Sequence, residues 1–172
     1  MKKGFTMIEL IFVIVILGVL ASVAIPRLAA TRDDAEVAKA ATNLTTAVSD
    51  ITAYYTAKGS FYEGKTSQNT TGTKITDFTK LTNALDKDGN LNVKGKTACV
   101  KVELPDNTAT NSTNPAVKIT LNFGSASGKD DAVCKTLKTL PGVKSMCGKS
   151  GANETISNKC EIQVGGSGGI QF

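Results

Sequence analysis

Apolar and polar positions divide the chain into two unlike parts. Leu10 to Ile25 is an uncharged run of sixteen residues, LIFVIVILGVLASVAI, with no polar face. Further on, Val37, Ala41, Leu44, Val48, Ile51 and Tyr55 are spaced 4, 3, 4, 3 and 4 apart. That is one apolar stripe with a period of about 3.5, the mark of an amphipathic helix. Asp33, Asp34, Lys39, Asn43 and Asp50 lie off the stripe, and Ala35, Ala38, Ala40 and Ala47 favour helix and permit close packing. Lys58-Gly59 supplies a basic last turn and a glycine cap. The pattern predicts one helix from Phe5 to Ala57, about 80 Å long if straight. Pro26 has no N–H and crowds the preceding turn, which predicts a kink near Val23–Ala24.

Beyond the helix the pattern changes period. Residues 59–96 are rich in Gly, Thr, Asn and Lys and read as a connection, with Ser67 to Lys74 as an exposed loop. Thr76 to Leu85 reads as a short helix packing Phe78, Leu81 and Leu85. Ala98 to Leu104 alternates as a strand with Lys101 and Glu103 outward. Ala116 to Phe123 puts Val117, Ile119, Leu121 and Phe123 on one face, and Lys159 to Val164 does the same with Cys160, Ile162 and Val164. Asp106 to Pro115 joins the first two strands as a polar loop. Asp130 to Leu140 reads as a helix ended by Pro141-Gly142, its paired acids placed for the helix dipole. After a Gly-rich stretch, Ile170-Gln171-Phe172 reads as an edge segment. A long helix followed by an antiparallel sheet is an α+β arrangement.

Composition narrows the chemistry. The chain has 172 residues, no His and no Trp, and aromatics are 5%. Without imidazole there is no His-based triad or acid–base pair, and no phosphate-binding loop or nucleotide motif occurs. No nucleophile–base arrangement or acid cluster is evident, so the reading is not an enzyme, with no cofactor and no metal. Asp86-Lys87-Asp88-Gly89-Asn90 has the acids of a calcium loop but lacks the bidentate Glu farther along, and reads as a turn. The net charge of +5 is mild and the lysines are dispersed, so no nucleic-acid partner is expected. Cys99, Cys134, Cys147 and Cys160 all follow the apolar segment, and no CxxC occurs. An even count in a chain that engages a membrane predicts disulfides outside the cytosol. Three pairings are open; Cys134–Cys147 as a local bridge with Cys99–Cys160 between strands is the favoured one.

The N-terminus admits three readings: a secretory signal peptide with small residues at Ser22 and Ala24, a plain membrane anchor, or a segment in which Glu9 has a task. An acid within a membrane helix costs on the order of 2.5–3.5 kcal/mol at the centre and less toward the end. No Lys, Arg or His lies in the segment to balance it.

Gly4-Phe5-Thr6-Met7-Ile8-Glu9, after a short basic leader and before an unbroken apolar run, resembles the processing motif of type IV prepilins and type II secretion pseudopilins. The likeness covers about residues 1–57. It implies cleavage between Gly4 and Phe5 by a prepilin peptidase, N-methylation of Phe5, and pairing of Glu9 with the new amine of a neighbouring subunit. It divides the chain into a leader (1–4), a membrane and filament-core helix (5–26), an amphipathic continuation (27–58) and a soluble head (59–172), the last comprising a connecting region (59–96) and a sheet and disulfide region (97–172). The implied protein is a single-pass inner-membrane precursor with a periplasmic head, assembled into a helical homo-oligomeric filament by an ATPase and platform proteins. A type IV pilus subunit, a major pseudopilin for protein export, and a minor pilin acting as adhesin or DNA-binding module all fit this reading.

Overall fold

The computed structural model describes residues 4, 6–64, 72–106, 116–149, 151 and 154–165, the side chains of Pro26, Leu28, Ala29 and Ala30 excepted. The expected loop over 106–115 and the edge segment at 170–172 fall almost wholly outside them. The chain forms two compact units, Met1–Ala35 and Glu36–Phe172. Helix α1, Met7–Lys58, contributes to both. Its assignment runs unbroken through Pro26.

From Leu10 to Ile25 the helix is apolar on every side. Its large side chains between Met7 and Ile25 are exposed, from 43% at Ile16 to 78% at Met7. In the second unit the same helix is two-faced. Leu44, Ala47 and Ile51 are fully buried, with Val37 and Ala40 nearly so, while Ala41, Val48 and Tyr55 flank them. The helix ends as its sequence predicts: the N–H of Gly59, at φ 68°, donates to the carbonyl of Tyr55 at 2.7 Å.

The buried face shares one core with a four-stranded antiparallel meander, in the order β3 (Asn90–Val93), β4 (Thr97–Glu103), β5 (Val117–Asn122) and β6 (Lys159–Gly165). Leu91, Val100, Val102, Ile119 and Leu121 line its inner side. Gly165 closes the sheet against the helix, since a Cβ there would lie 2.1 Å from the Tyr55 ring. A separate two-stranded ribbon pairs β1 (Tyr62–Glu63) with β2 (Thr73–Lys74). Helices α2 (Ala132–Thr139) and α3 (Pro141–Met146) lie between β5 and β6 in the chain.

Several expectations need correction. Thr76 to Leu85 is not a helix but a single 3-10 turn, Phe78–Lys80, capped by the Asp77 carboxylate; its three apolar residues are nevertheless buried as expected. The connecting region contains β1, β2 and β3, and Lys74 belongs to β2 rather than to an exposed loop. Helix α2 ends ahead of Pro141 as expected, with Leu140 extended at ψ 135°, and Pro141 then opens a further helix, α3, at a position where its missing N–H costs nothing.

The cysteine pairing also differs. The bridges are Cys99–Cys134 and Cys147–Cys160, with Cα atoms 4.9 and 5.5 Å apart. Two features decide this. Strand β5 lies between β4 and β6, which sets Cys99 and Cys160 two strand spacings apart, about 9–10 Å, too far for a bridge. Leu91 pairs with Val100 and Asn92 with Ala98, so Cys99 is the extra residue of a β-bulge. Simple alternation would group Cys99 with outward Lys101 and Glu103. The bulge re-aims it, and it is buried against α2 beside Val100.

Asp86-Asn90 is a turn organised by one carboxylate. Asp86 accepts from the backbone N–H of Asp88 and Asn90 and from the side-chain amides of Asn90 and Asn92, at 2.8–3.2 Å. Both its oxygens face N–H donors, the opposite of an arrangement aimed at a cation. Burial pushes this carboxyl up, but those donors outweigh it and hold it below its ordinary range. Next to it, Gly89 sits at φ 81°, and a Cβ built there would stand 2.7 Å from the Phe78 ring and 2.9 Å from the Val102 carbonyl.

Two outcomes follow. Gly89→Ala, which combines a left-handed backbone with a clash, is expected to destabilise the head by roughly 1–3 kcal/mol in urea unfolding. Asp86→Asn is expected to cost about 1–2 kcal/mol at pH 7. Because the folded carboxyl is depressed, its contribution is complete above about pH 5 and is lost as pH falls through the folded value. The variant's stability should therefore fall less steeply than wild type on the acid side of about pH 4, which thermal melts across pH will read.

Candidate functional site: the N-terminal motif

The motif residues lie at the start of α1. Thr6 precedes the first helical residue, and its carbonyl accepts from the N–H of Leu10 at 3.3 Å. The Thr6 hydroxyl accepts from the Glu9 N–H at 3.4 Å. In return, Oε2 of Glu9 accepts from the Thr6 N–H at 2.9 Å and from its hydroxyl at 2.6 Å. This reciprocal pair is a capping box, with Thr as N-cap and Glu three residues into the helix, and it satisfies amides that have no intrahelical partner. Its sequence signal, Thr-x-x-Glu ahead of an apolar run, was present in Thr6-Met7-Ile8-Glu9 but is easily passed over when the acid is read only for its charge.

Glu9 therefore has a partner within its own chain. Both bonds use Oε2, and among the described residues Oε1 has no hydrogen-bond partner. Placing the acid in the first turn also sets it against the positive end of the helix dipole. Phe5, which the sequence reading assigns to cleavage and methylation, lies outside the described residues, so no geometry attaches to its amine.

Gly4 is exposed, and a Cβ built on it would meet nothing within 4 Å. The fold itself does not require glycine there. Any such requirement comes from a molecule that acts on this position.

Met7–Ile25 is long and apolar enough to cross a membrane. Its 19 residues measure about 28 Å at 1.5 Å per residue, close to the thickness of a bilayer core. A helix apolar all round has its backbone satisfied internally and its side chains suited to lipid or to other helices. Ser22, the one hydroxyl residue in the run after Thr6, turns its hydroxyl back to the Val19 carbonyl at 2.8 Å.

Elsewhere, among the described residues, no group of three or more Cys, Asp or Glu side chains is placed to hold a metal ion. All four cysteines are bridged.

Residues 1–25 match the family model of the prokaryotic N-terminal methylation motif, the prepilin-type signal of type IV pilins and pseudopilins. No curated protein and no solved structure matches the chain. The motif implies processing by a prepilin peptidase, and together with the apolar helix it fits a membrane-anchored precursor.

The capping box makes its own prediction. Thr6→Val keeps the shape but removes the hydroxyl, and is expected to cost about 0.5–2 kcal/mol in local helix stability. Hydrogen exchange of the Ile8 and Glu9 amides in detergent-solubilised protein should speed up, with no change in the amides of Leu44 to Ile51.

Proposed function

We propose that the chain is a structural subunit of a type IV pilus-like filament. The observation that carries this reading is the match of residues 1–25 to the methylation motif, joined directly to a helix that is apolar on every side. The peptidase cuts between Gly4 and Phe5 on the cytoplasmic face and methylates the new amine of Phe5. Until assembly the helix holds the subunit in the inner membrane, with the disulfide-bridged head in the periplasm. Assembly packs the helices into the filament core and leaves the heads on its surface. An ATPase and platform proteins drive it, because the chain has no nucleotide-binding motif of its own. Its role is structural, not catalytic.

Glu9 has two tasks in this scheme. Oε2 keeps the capping box, which survives removal of residues 1–4. Oε1 accepts the methylated amine of Phe5 from a neighbouring subunit offset along the filament axis. That contact neutralises a charge in a low-dielectric core and fixes the register between subunits. The same signal opens the major pseudopilins of type II secretion, and electron microscopy of sheared filaments from strains with and without this gene separates a long surface pilus from a short periplasmic one.

Processing is tested by intact mass and N-terminal peptide analysis, which should find a methylated Phe5 as first residue; an N-terminus at Ile25 would make the segment a signal peptide. Gly4→Asp should leave the precursor uncut without disturbing the head, since position 4 touches nothing. Glu9→Gln can still form a capping box but carries no charge. It should leave membrane-inserted subunit at wild-type abundance or above and sharply reduce sheared filaments. Normal filament yield would contradict the inter-subunit role.

A further inference from the structure

The surplus of positive charge is concentrated in one stretch of the chain. Residues 124–160 contain six lysines against three acids, whereas the remainder of the chain after Gly4 carries twelve basic and twelve acidic residues. The net positive charge of the processed chain therefore belongs to the α2–α3 region and its flanks. A cleft of about 260 Å³ lies there, lined by Lys129, Lys135, Lys138, Asp130, Asn158 and Phe123. A second cavity of about 360 Å³ shares Lys135 and Lys138 and adds Lys144 and Thr155. The two shared lysines are three apart on α2 and so project from one face of it. Among the described residues, Lys129, Lys135 and Lys138 have no carboxylate within ion-pair distance, although other lysines of the head do, such as Lys80 with Glu63 and Lys118 with Glu161. Lys138 donates to the Asn158 side chain at 3.4 Å. The Cys99–Cys134 bridge lines the cleft and ties α2 to the sheet.

We propose that this cleft is a binding site for an acidic polysaccharide. Three features select that class. Adjoining cavities that share two lysines form a track rather than a single-ion pocket. The cations are all lysines, compact point charges suited to carboxylate or sulfate groups spaced along a chain, with no arginine fork among them. The cleft's one aromatic, Phe123, is only 4% exposed, so nothing there stacks a nucleobase. Asn158 and Thr155 add neutral hydrogen-bonding groups of the kind that sugar hydroxyls use. The charge imbalance makes the interaction salt-sensitive.

The test uses the full-length protein in detergent micelles, with polymannuronate as probe, and neutral dextran and a thymidine oligonucleotide as comparators. Binding is measured by calorimetry at several salt concentrations. Wild type should bind polymannuronate, more weakly as salt rises, and should not bind dextran. Lys135→Gln with Lys138→Gln should weaken binding about ten-fold and flatten its salt dependence. Lys87→Gln with Lys101→Gln, two lysines outside the cleft, should leave it unchanged. Circular dichroism checks the fold; if the α2 double variant is misfolded, Lys129→Gln, on an exposed turn, takes its place with a smaller expected loss. No binding by wild type, equal loss in the two double variants, or tighter binding to the oligonucleotide than to polymannuronate would each overturn the proposal.

Discussion

The head depends on the burial of one helix face. Leu44, Ala47 and Ile51 have no solvent exposure at all, and they share a core with Leu91, Val100, Val102, Ile119 and Leu121 of the sheet. Full burial of each large aliphatic side chain contributes about 1.5–3 kcal/mol. The same core extends outward through Phe61, Phe78, Phe123, Leu137 and Ile156, so the seam is its centre. The alanines matter as much as the leucines. Ala40 and Ala47 sit on the buried line beside Leu44 and Ile51, and Ala41, Val48 and Tyr55 flank it. The two disulfides reinforce what the seam leaves thin, one tying α2 to β4 and the other tying the end of α3 to β6.

Both parts of α1 obey the same rule of helix formation but meet different demands. In the residues from Glu36 onward, polar and apolar positions segregate, and one side finds a partner within the chain. From Met7 to Ile25 there is no segregation and no partner within the unit. A helix of that kind is complete in its backbone and incomplete in its surroundings. The capping box at Thr6 and Glu9 completes the backbone at its first turn too, so that the segment's remaining need is an apolar environment.

Much of this was legible in the sequence. The stripe from Val37 to Tyr55, the glycine stop at Gly59, and the alternation in β5 and β6 are local signals, and the structure follows them. What escaped were features set by pairing between distant segments. Strand β3 is only four residues, Asn90–Val93, and hides behind a turn; it exists because β4 is beside it. The bulge at Cys99 reverses the face that alternation assigns, and the interposed β5 separates two cysteines that simple proximity of strands would join. The capping box was readable in four residues. The surplus of lysines over residues 124–160 was readable too, but that Lys129, Lys135 and Lys138 line one cleft with Phe123 and Asn158 was not, because it requires the packing of α2 beside the sheet.

The meander order carries a consequence for when, rather than how, the head is completed. The apolar face of α1 is synthesised first, yet its cover arrives piecemeal with β3 to β6, and Gly165 meets Tyr55 only after a further 110 residues have been added. Neither bridge can close before residue 134, and the second waits for residue 160. Throughout that interval a nascent chain displays a ready-made hydrophobic stripe with nothing of its own to set against it. An emerging chain is thus most vulnerable to mispairing early, and is secured only when its last strand has docked.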